Sequence, residues 1–206
     1  MKHYPHIVHP DEVQPADDDR LYFFDANVWL LLLRPYHVSA EMRPYVNLWR
    51  RILATGRQCV VGNAVIVSEV FNRFLRIHFD QWKKSAEAAH LLQGATADYK
   101  RHFRPSQGHK DAEELFRATW QDYEPSVIYL DTEVESKIVP ELLRSHRQET
   151  DFNDRYYSAF CKAHGIRLVS HDGDFFVGGV EVITANNKLI ARYKEMIAKS
   201  GGRKGK

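Results

Sequence analysis

The chain has 206 residues, 44% of them hydrophobic and 12% aromatic, which is enough to build one domain around a buried core. Its formal charge of +2 excludes a protein that binds nucleic acid through bulk positive charge, so such a function would need local basic patches. Cys59 and Cys161, the two cysteines, stand apart in apolar stretches, which argues against a disulfide framework or a zinc knuckle and favours a reducing, cytoplasmic setting.

Residues 1–19 are predicted to be an N-terminal extension outside the fold. This segment is rich in Pro, Asp and His and lacks the apolar centre of a cleavable signal. It ends in the acidic run Asp17–Asp19, which we expect to be solvated. The longest apolar run, Val28–Leu33, is far below the roughly 20 residues that cross a bilayer, so no membrane association is expected.

Five short apolar runs are predicted to be strands. They are Leu21–Phe24, Gln58–Val61, Ser126–Leu130, Arg167–Ser170 and Glu181–Thr184. The first is followed by Asp25, the second by Gly62 and Asn63, and the third by Asp131. Segments with helical spacing separate them. We therefore expect a three-layer α/β/α fold with a mainly parallel sheet of about five strands.

Residues 20–198 are predicted to form the domain that contains these strands. A helical insertion is expected at about residues 80–123, where apolar residues stand among charges and a break falls at Arg104–Gly108. Residues 199–206, KSGGRKGK, are predicted to be a basic flexible tail.

Two aspartates are predicted to lie at the ends of strands. Asp25 follows Phe24 directly, and Asp172 comes shortly after Val169. Ligands bind at the carboxyl ends of the strands in an open parallel sheet, so both are candidate site residues. The alternatives are a helix N-cap for Asp25 and turn chemistry for Asp172 or Asp174, which flank a glycine.

Two further acids fall near the starts of predicted helices. Glu69 is a candidate ligand, although an ordinary exposed helix glutamate is the simpler interpretation. Asp154 follows Asp151 by three residues, so that one of them can cap the helix and the other can act as a ligand. Gly165 is predicted to end the same helix.

Taken in order, these segments resemble the PIN domain family over roughly residues 20–190. The matching residues are Phe24–Trp29, Ser68–Val70, Asp154 with Gly165 eleven residues later, and Leu168–Phe175. The order and spacing of the whole set are far more specific than any one short motif.

The resemblance implies a nuclease active site that uses Mg²⁺ or Mn²⁺. The implied catalytic carboxylates, which also bind the metal, are Asp25, Glu69, Asp154 and Asp172. Asp174 would be a fifth metal ligand, and Asn27 and Ser170 would support the acids by hydrogen bonds. Hard oxygen ligands suit these ions, which offset the repulsion between carboxylates and help to ionise an attacking water.

RNA is expected to be held by the basic residues Lys100, Arg101 and Arg104. They alternate with Tyr99 and Phe103, whose rings can stack on unpaired bases. A solvated helix end beside a loop is the alternative for this segment. His171, next to Asp172, is a further candidate for contact with a substrate phosphate, with an exposed strand-end histidine as its alternative.

The resulting hypothesis is a metal-dependent endoribonuclease that hydrolyses RNA phosphodiester bonds, similar to the toxins of toxin–antitoxin pairs. Its expected partners are RNA, an antitoxin protein and a second copy in a homodimer. One alternative is a catalytically inactive PIN-like module that binds RNA. Another is a phosphatase similar to the haloacid dehalogenases, although that pattern would place a carboxylate at the position of Asn27.

Overall fold

The structure of the chain, a computed structural model, describes residues 6–34, 38–130, 135–144, 151–175 and 178–201. The chain divides into two compact units. The helical unit is Ala64–Pro125, and the sheet unit holds the residues before and after it.

The sheet unit is built on six strands, all parallel, in the order β1-β6-β5-β2-β3-β4. The strands are β1 His6–Val8, β2 Tyr22–Phe24, β3 Val60–Gly62, β4 Val127–Tyr129, β5 Arg167–Val169 and β6 Glu181–Ile183. The five predicted strands are all confirmed within a residue or two at each end. The predicted strand-end residue Asp131 lies outside the described residues.

Strand β1 is the sixth strand, and it lies in the segment predicted to be an extension outside the fold. Its residues pair in register with β6, His6 opposite Glu181 and Val8 opposite Ile183. That prediction is therefore wrong for residues 6–8. Only Ile7 of the three is buried, so the strand has too little alternation to be recognised without its distant partner.

Asp18, predicted to be solvated, is in fact paired and mostly buried. Its Oδ2 atom accepts hydrogen bonds from Arg20 and lies 2.8 Å from Nη1 of the buried Arg167. The hydrogen bonds from Arg20, helped by the charge of Arg167, lower the pKa of Asp18 to about 2. Arg57 adds an ion pair to Asp19, so the acidic run fastens the N-terminal segment to the sheet unit.

Two neighbouring residues of β2 show how helices cover both faces of the sheet. Phe23 and Phe24 point to opposite faces because side chains alternate along a strand. The Phe23 ring lies 5.0 Å from Tyr157 and 5.5 Å from Phe160, whereas Phe24 packs at 5.6 Å against Trp49. The helices of the sheet unit are α1 Ala26–Leu32, α2 Arg43–Ala54, α6 Glu135–Arg144, α7 Phe152–His164 and α8 Asn187–Gly201. The fold is the expected three-layer α/β/α arrangement.

Helix α8 continues to Gly201, past the predicted start of the flexible tail at residue 199. The tail prediction is therefore wrong for residues 199–201. Lys199 lies in the last turn, where the helix dipole favours a positive charge. Residues 202–206 lie outside the described part of the chain.

The helical unit contains the predicted insertion and begins earlier than expected. It consists of α3 Ala64–Trp82, α4 Ala86–Leu92, a short π-helix Tyr99–Phe103 and α5 Gln107–Tyr123. Helix α3 joins this unit because it packs on α5, with the ring of Phe116 at 5.0 Å from Phe71 and 5.4 Å from Phe74. None of the helices in the described ranges is both long and apolar enough to cross a membrane.

Candidate active site

The candidate site lies where the strand order reverses. From β2 the chain continues to β3 and β4 on one side, and then returns to place β5 on the other side of β2. The carboxyl ends of β2 and β5 therefore flank a topological switch point, the usual ligand position in open α/β sheets. Asp25 follows β2 and Asp172 follows β5, so both predicted acids lie at this edge.

The Asp25 carboxylate is buried, with 4% of the residue exposed, and is held by at least three donors. Its Oδ1 accepts from the Ala26 amide at 2.6 Å, in the N-cap position of α1. Its Oδ2 accepts from Asn27 Nδ2 at 2.6 Å and from Ser170 Oγ at 2.8 Å. Asp25 therefore occupies the N-cap position, as the alternative interpretation expected. Two side-chain donors also hold its carboxylate in one orientation.

Ser170 connects the two strand ends. Its hydroxyl donates to Asp25 and accepts from the Asp172 amide at 3.0 Å. Asn27 adds a second link, because its Oδ1 accepts from the His171 amide at 3.2 Å. Asn27 and Ser170 therefore make the kind of supporting contacts that the resemblance implies.

The Asp172–Asp174 segment is a turn closed by a side chain. Asp172 Oδ1 accepts from the Asp174 amide at 3.0 Å. Turn chemistry therefore accounts for one oxygen of Asp172, as the alternative interpretation proposed. Asp172 is half-buried and Asp174 is exposed, which leaves Asp174 at the solvent side of the site.

Asp154 lies in the first turn of α7, after the N-cap residue Asp151, whose Oδ1 accepts from the Asp154 amide at 2.9 Å. A helix that precedes a parallel strand begins at the carboxyl edge of the sheet, so Asp154 lies at the same edge as Asp25.

Two turns further along α7, Cys161 is fully buried. Burial and the charge of Asp25 raise its pKa well above the usual value. Gly165 ends the helix in the left-handed conformation, as predicted, with φ of 64°.

Glu69 belongs to the helical unit, on α3. Its side chain is 20% exposed, and its Oε1 lies 3.2 Å from Nη1 of Arg73, one helical turn further on. Such i,i+4 pairs are common on ordinary helix surfaces. The participation of Glu69 in a site with the three aspartates therefore stays a prediction.

The residues at the switch point fit a hard divalent ion in their chemistry. Within the described ranges, no three His, Cys, Asp or Glu side chains are grouped so as to hold a metal ion. Magnesium, however, is usually bound by one or two carboxylates and completes its coordination with water and substrate phosphate. Asp25 and Asp172 supply oxygen donors of this type, and the four-carboxylate cluster stays a prediction.

Two polar residues at the same edge, Tyr45 and Asn186, were not predicted from the sequence. The buried Tyr45 hydroxyl of α2 contacts Ser170 O, Ala185 N and His171 Nδ1 at 3.1, 2.7 and 3.0 Å. Asn186 Nδ2 donates to the His171 carbonyl at 2.8 Å. Neither residue belongs to a recognisable motif, and the partners of the Tyr45 hydroxyl are distant in sequence, so nothing local singled them out.

Lys100 and Arg101 are exposed on the π-helix of the helical unit, and Arg104 is exposed directly after it. Of the two neighbouring aromatics, Phe103 is not available for stacking on bases, which corrects the prediction for that ring. Phe103 is 0% exposed in a cluster with Trp82, and Arg76 covers the ring of Tyr99 at 5.4 Å. The segment presents cations to solvent, keeps Phe103 in the core and leaves Tyr99 partly exposed.

Comparison with known protein families gives one assignment that covers most of the chain. The profile of the family described as PIN domain matches residues 22–178. The matched range starts at the first residue of β2 and extends beyond the Asp172–Asp174 turn, so it includes every predicted site residue. A search of curated proteins found no match.

Proposed function

The chain belongs to the PIN domain family, whose members are generally nucleases, and from this premise we propose that it is a metal-dependent endoribonuclease that hydrolyses RNA phosphodiester bonds. The observation that carries the proposal is the Asp25 carboxylate. It is buried at the switch point and fixed by Asn27 and Ser170, while Ser170 also holds the start of the Asp172 turn.

The arrangement of donors around Asp25 supports a role as a metal ligand. Hydrogen bonds to a carboxylate favour its charged form, and the charged form is the one that binds a cation. In the proposed site Asp25 and Asp172 hold Mg²⁺ or Mn²⁺, and Asp154 and Glu69 complete the acidic set. When bound, such an ion neutralises the scissile phosphate and lowers the pKa of an attacking water.

We also propose roles for other side chains around the site. Asn27 and Ser170 keep the Asp25 oxygens in place before substrate arrives, which avoids reorganisation during the reaction. Asp174 is exposed and lies on the solvent side, where it would be the fifth ligand of a bound ion. In the helical unit, Lys100, Arg101 and Arg104 are proposed to attract the RNA backbone through its phosphates, as point charges rather than stacking platforms.

Purified protein incubated with Mn²⁺ tests the proposal. We expect cleavage of labelled RNA, no cleavage after chelation of the metal, and loss of at least about a hundredfold in rate for Asp25→Asn, which removes a metal-binding charge. Circular dichroism of Asp25→Asn should match the wild type. Absence of cleavage by folded wild-type protein with either metal, across structured and single-stranded RNA, would rule the proposal out.

Asp172→Asn gives an independent test of metal binding. We expect weaker Mn²⁺ binding by calorimetric titration, because Asp172 follows β5 beside the Ser170 hydroxyl that holds Asp25. Asp111→Asn, an exposed acid on α5, is the matched control. Equal Mn²⁺ affinity in wild type and Asp172→Asn would remove Asp172 from the ligand set.

A second candidate function is an RNA-binding module without catalysis. It is favoured by the finding that no three metal-binding side chains are grouped within the described ranges. The cleavage experiment separates this function from the nuclease, since the module would bind RNA without turnover.

Hydrolysis of a generic phosphate ester in place of RNA would indicate a phosphatase. A role as a toxin, with an antitoxin partner and a homodimer, is a further proposal that co-expression with adjacent genes would test.

A further inference from the structure

The β5–β6 ladder ends at the site in an unusual way. The last backbone hydrogen bond of this ladder is donated by the Ser170 amide to the Ile183 carbonyl at 3.1 Å. In a regular parallel ladder the next bond would join the Ala185 amide to the Ser170 carbonyl. Here the Tyr45 hydroxyl bonds both groups, accepting from Ala185 N at 2.7 Å and donating to Ser170 O at 3.1 Å.

The hydroxyl can satisfy these contacts with the single proton it carries. Ala185 N can only donate and Ser170 O can only accept, so the Tyr45 proton goes to Ser170 and one oxygen lone pair is used by Ala185. The remaining lone pair faces Thr184 Oγ1 at 3.3 Å and His171 Nδ1 at 3.0 Å, either of which can donate. Tyr45 is 0% exposed, and burial raises its pKa to about 12, so the hydroxyl keeps its proton at neutral pH.

The same hydroxyl holds the residues that contact Asp25. Ser170 is fixed at its carbonyl by Tyr45, and its side chain donates to Asp25 at 2.8 Å. The His171 ring packs edge-on against the Tyr45 ring at 5.6 Å, and the His171 amide donates to Asn27. A direct bond between β5 and β6 at this point would bring the strand ends closer and turn Ser170 away from this geometry.

We propose that Tyr45 is a positioning residue of the active site: its hydroxyl takes the place of a ladder bond, separates the ends of β5 and β6, and thereby sets Ser170 and the Asp172 turn against Asp25. The inference rests on the proposed nuclease function for its effect on catalysis. Its structural part stands on the hydrogen bonds alone. Tyr45 touches neither substrate nor metal in this scheme and acts only through Ser170 and His171.

The test compares Tyr45→Phe with Tyr22→Phe. Both tyrosines are fully buried, and the Tyr22 hydroxyl also has a partner, Arg167 Nη1 at 3.3 Å. Tyr22, however, begins β2 at the end opposite Asp25, so its loss should affect stability without affecting the site. The two variants therefore separate the removal of a buried hydroxyl from the loss of positioning.

Two readouts are needed, one of them independent of activity. Amide hydrogen exchange of His171 and Asp172, whose amides donate to Asn27 and Ser170, should become about fivefold to tenfold faster in Tyr45→Phe, the effect of weakening one ordinary hydrogen bond. With Mn²⁺ and RNA, kcat should fall about tenfold at nearly unchanged KM, as for other residues that orient a metal ligand. Tyr22→Phe should show neither change.

Unchanged exchange at both amides in Tyr45→Phe, or wild-type kcat in a variant that does show faster exchange, would overturn the inference while the nuclease proposal stood. If wild-type protein cleaves no RNA, the proposed function fails and the exchange rates alone decide on Tyr45. Should Tyr45→Phe not fold, Thr184→Val removes a partner of the same hydroxyl without removing the ring. We expect about threefold faster exchange at His171 in that variant, and no change would overturn the inference.

Discussion

The Asp25 carboxylate is held in place by its own neighbours before any ligand binds. One oxygen faces the start of α1, and the other receives the Asn27 amide and the Ser170 hydroxyl. A buried carboxylate is costly unless its oxygens are hydrogen-bonded, and the three donors offset that cost. The local sequence Asp25-Ala26-Asn27 supplies two of the donors, whereas Ser170 directly follows β5 and lies 143 residues beyond Asn27.

Ser170→Ala should weaken the site without removing any acid. The substitution deletes the donor to Asp25 Oδ2 and the acceptor for the Asp172 amide. Loss of a residue that orients a metal ligand typically lowers metal affinity or activity about 10- to 100-fold. We therefore expect a decrease of that size in kcat or in Mn²⁺ affinity. Steady-state cleavage and calorimetry would measure it.

Thr119→Ala is the control for Ser170→Ala, since the Thr119 hydroxyl bonds only to the carbonyl one turn back on an exposed part of α5. We expect wild-type activity in this variant. Wild-type activity and metal affinity in Ser170→Ala as well would show that Asp25 does not need the serine to hold its orientation.

The sequence and its family resemblance pointed to Asp25 and Asp172 and to the supporting residues Asn27 and Ser170, but not to Tyr45. Asp25 and Asp172 were recognisable because each follows an apolar strand run. Tyr45 was not, because it lies on the buried face of an amphipathic helix where any large apolar residue would fit the pattern. The function of its hydroxyl depends on Ser170 and Ala185, which lie 125 and 140 residues away and meet it only in the folded chain.

At the scale of secondary structure, the central strands were predictable because they are buried on both faces. β2, β3 and β5 are continuous apolar or buried runs bounded by polar residues. β1 has one buried residue and lies at an edge, so its own pattern is too short to predict a strand. Its assignment depends on the register with β6, which no local pattern contains.

The burial of Phe103 in the π-helix refines the RNA-binding role that the sequence predicted for this segment. Because Phe103 is buried and Arg76 lies over the ring of Tyr99, we expect the segment to contribute mainly charge to RNA binding. We expect the triple change Lys100→Ala, Arg101→Ala and Arg104→Ala to weaken RNA binding uniformly across sequences. The slope of log K against log salt should become shallower by about 2, near 0.7 for each lost contact to a single strand.

Three cations on α8 provide the control for this triple variant. Lys188, Lys194 and Lys199 are exposed, and their replacement removes the same net charge. Filter binding or fluorescence anisotropy at several salt concentrations would measure both variants. Equal losses of RNA affinity in the two triple variants would mean that binding depends on overall charge. No loss of affinity in the variant of Lys100, Arg101 and Arg104 would mean that RNA binds at another surface.

At the scale of the whole molecule, the N-terminal segment is part of the sheet unit. β1 covers the edge of β6, and Arg51 and Arg57 donate to the carbonyls of Pro10 and Pro15 at 2.6 and 3.1 Å. Deleting residues 1–19 would expose the β6 edge and leave Arg167 without Asp18. We expect a clear loss of stability in urea unfolding and self-association by light scattering.

The control for this deletion is removal of residues 202–206, which lie beyond α8. We expect no change in the unfolding midpoint for that variant. A shortened protein lacking residues 1–19 that unfolds at the wild-type urea concentration and stays monomeric would show that the N-terminal segment contributes little to stability.

The paired Asp18 predicts how stability depends on pH. Its pKa is lowered from 3.8 to about 2, so its charged form is favoured in the folded state. A lowered pKa gives stability that is complete above the unfolded pKa and is lost as pH falls through the folded pKa. We expect Asp18→Asn to be less stable than wild type by a constant amount above about pH 4, with the difference shrinking as pH approaches 2.

Urea unfolding of both proteins between pH 2 and 6 would measure this difference. Asp17→Asn is the matched control, because Asp17 is exposed in the same acidic run. A difference between wild type and Asp18→Asn that stays constant across the whole range would mean that Asp18 is not ionised preferentially by folding.

The position of β1 also affects the order in which the chain can fold during synthesis. His6–Val8 is synthesised before Glu181–Ile183, its strand partner in the described sheet, which lies 175 residues further along the chain. The central strands can pair with each other before β6 is made, whereas β1 stays unpaired until β6 has been synthesised. β1 can therefore dock only after β6 has been made, and until then the nascent chain carries an unpaired strand that chaperones can bind.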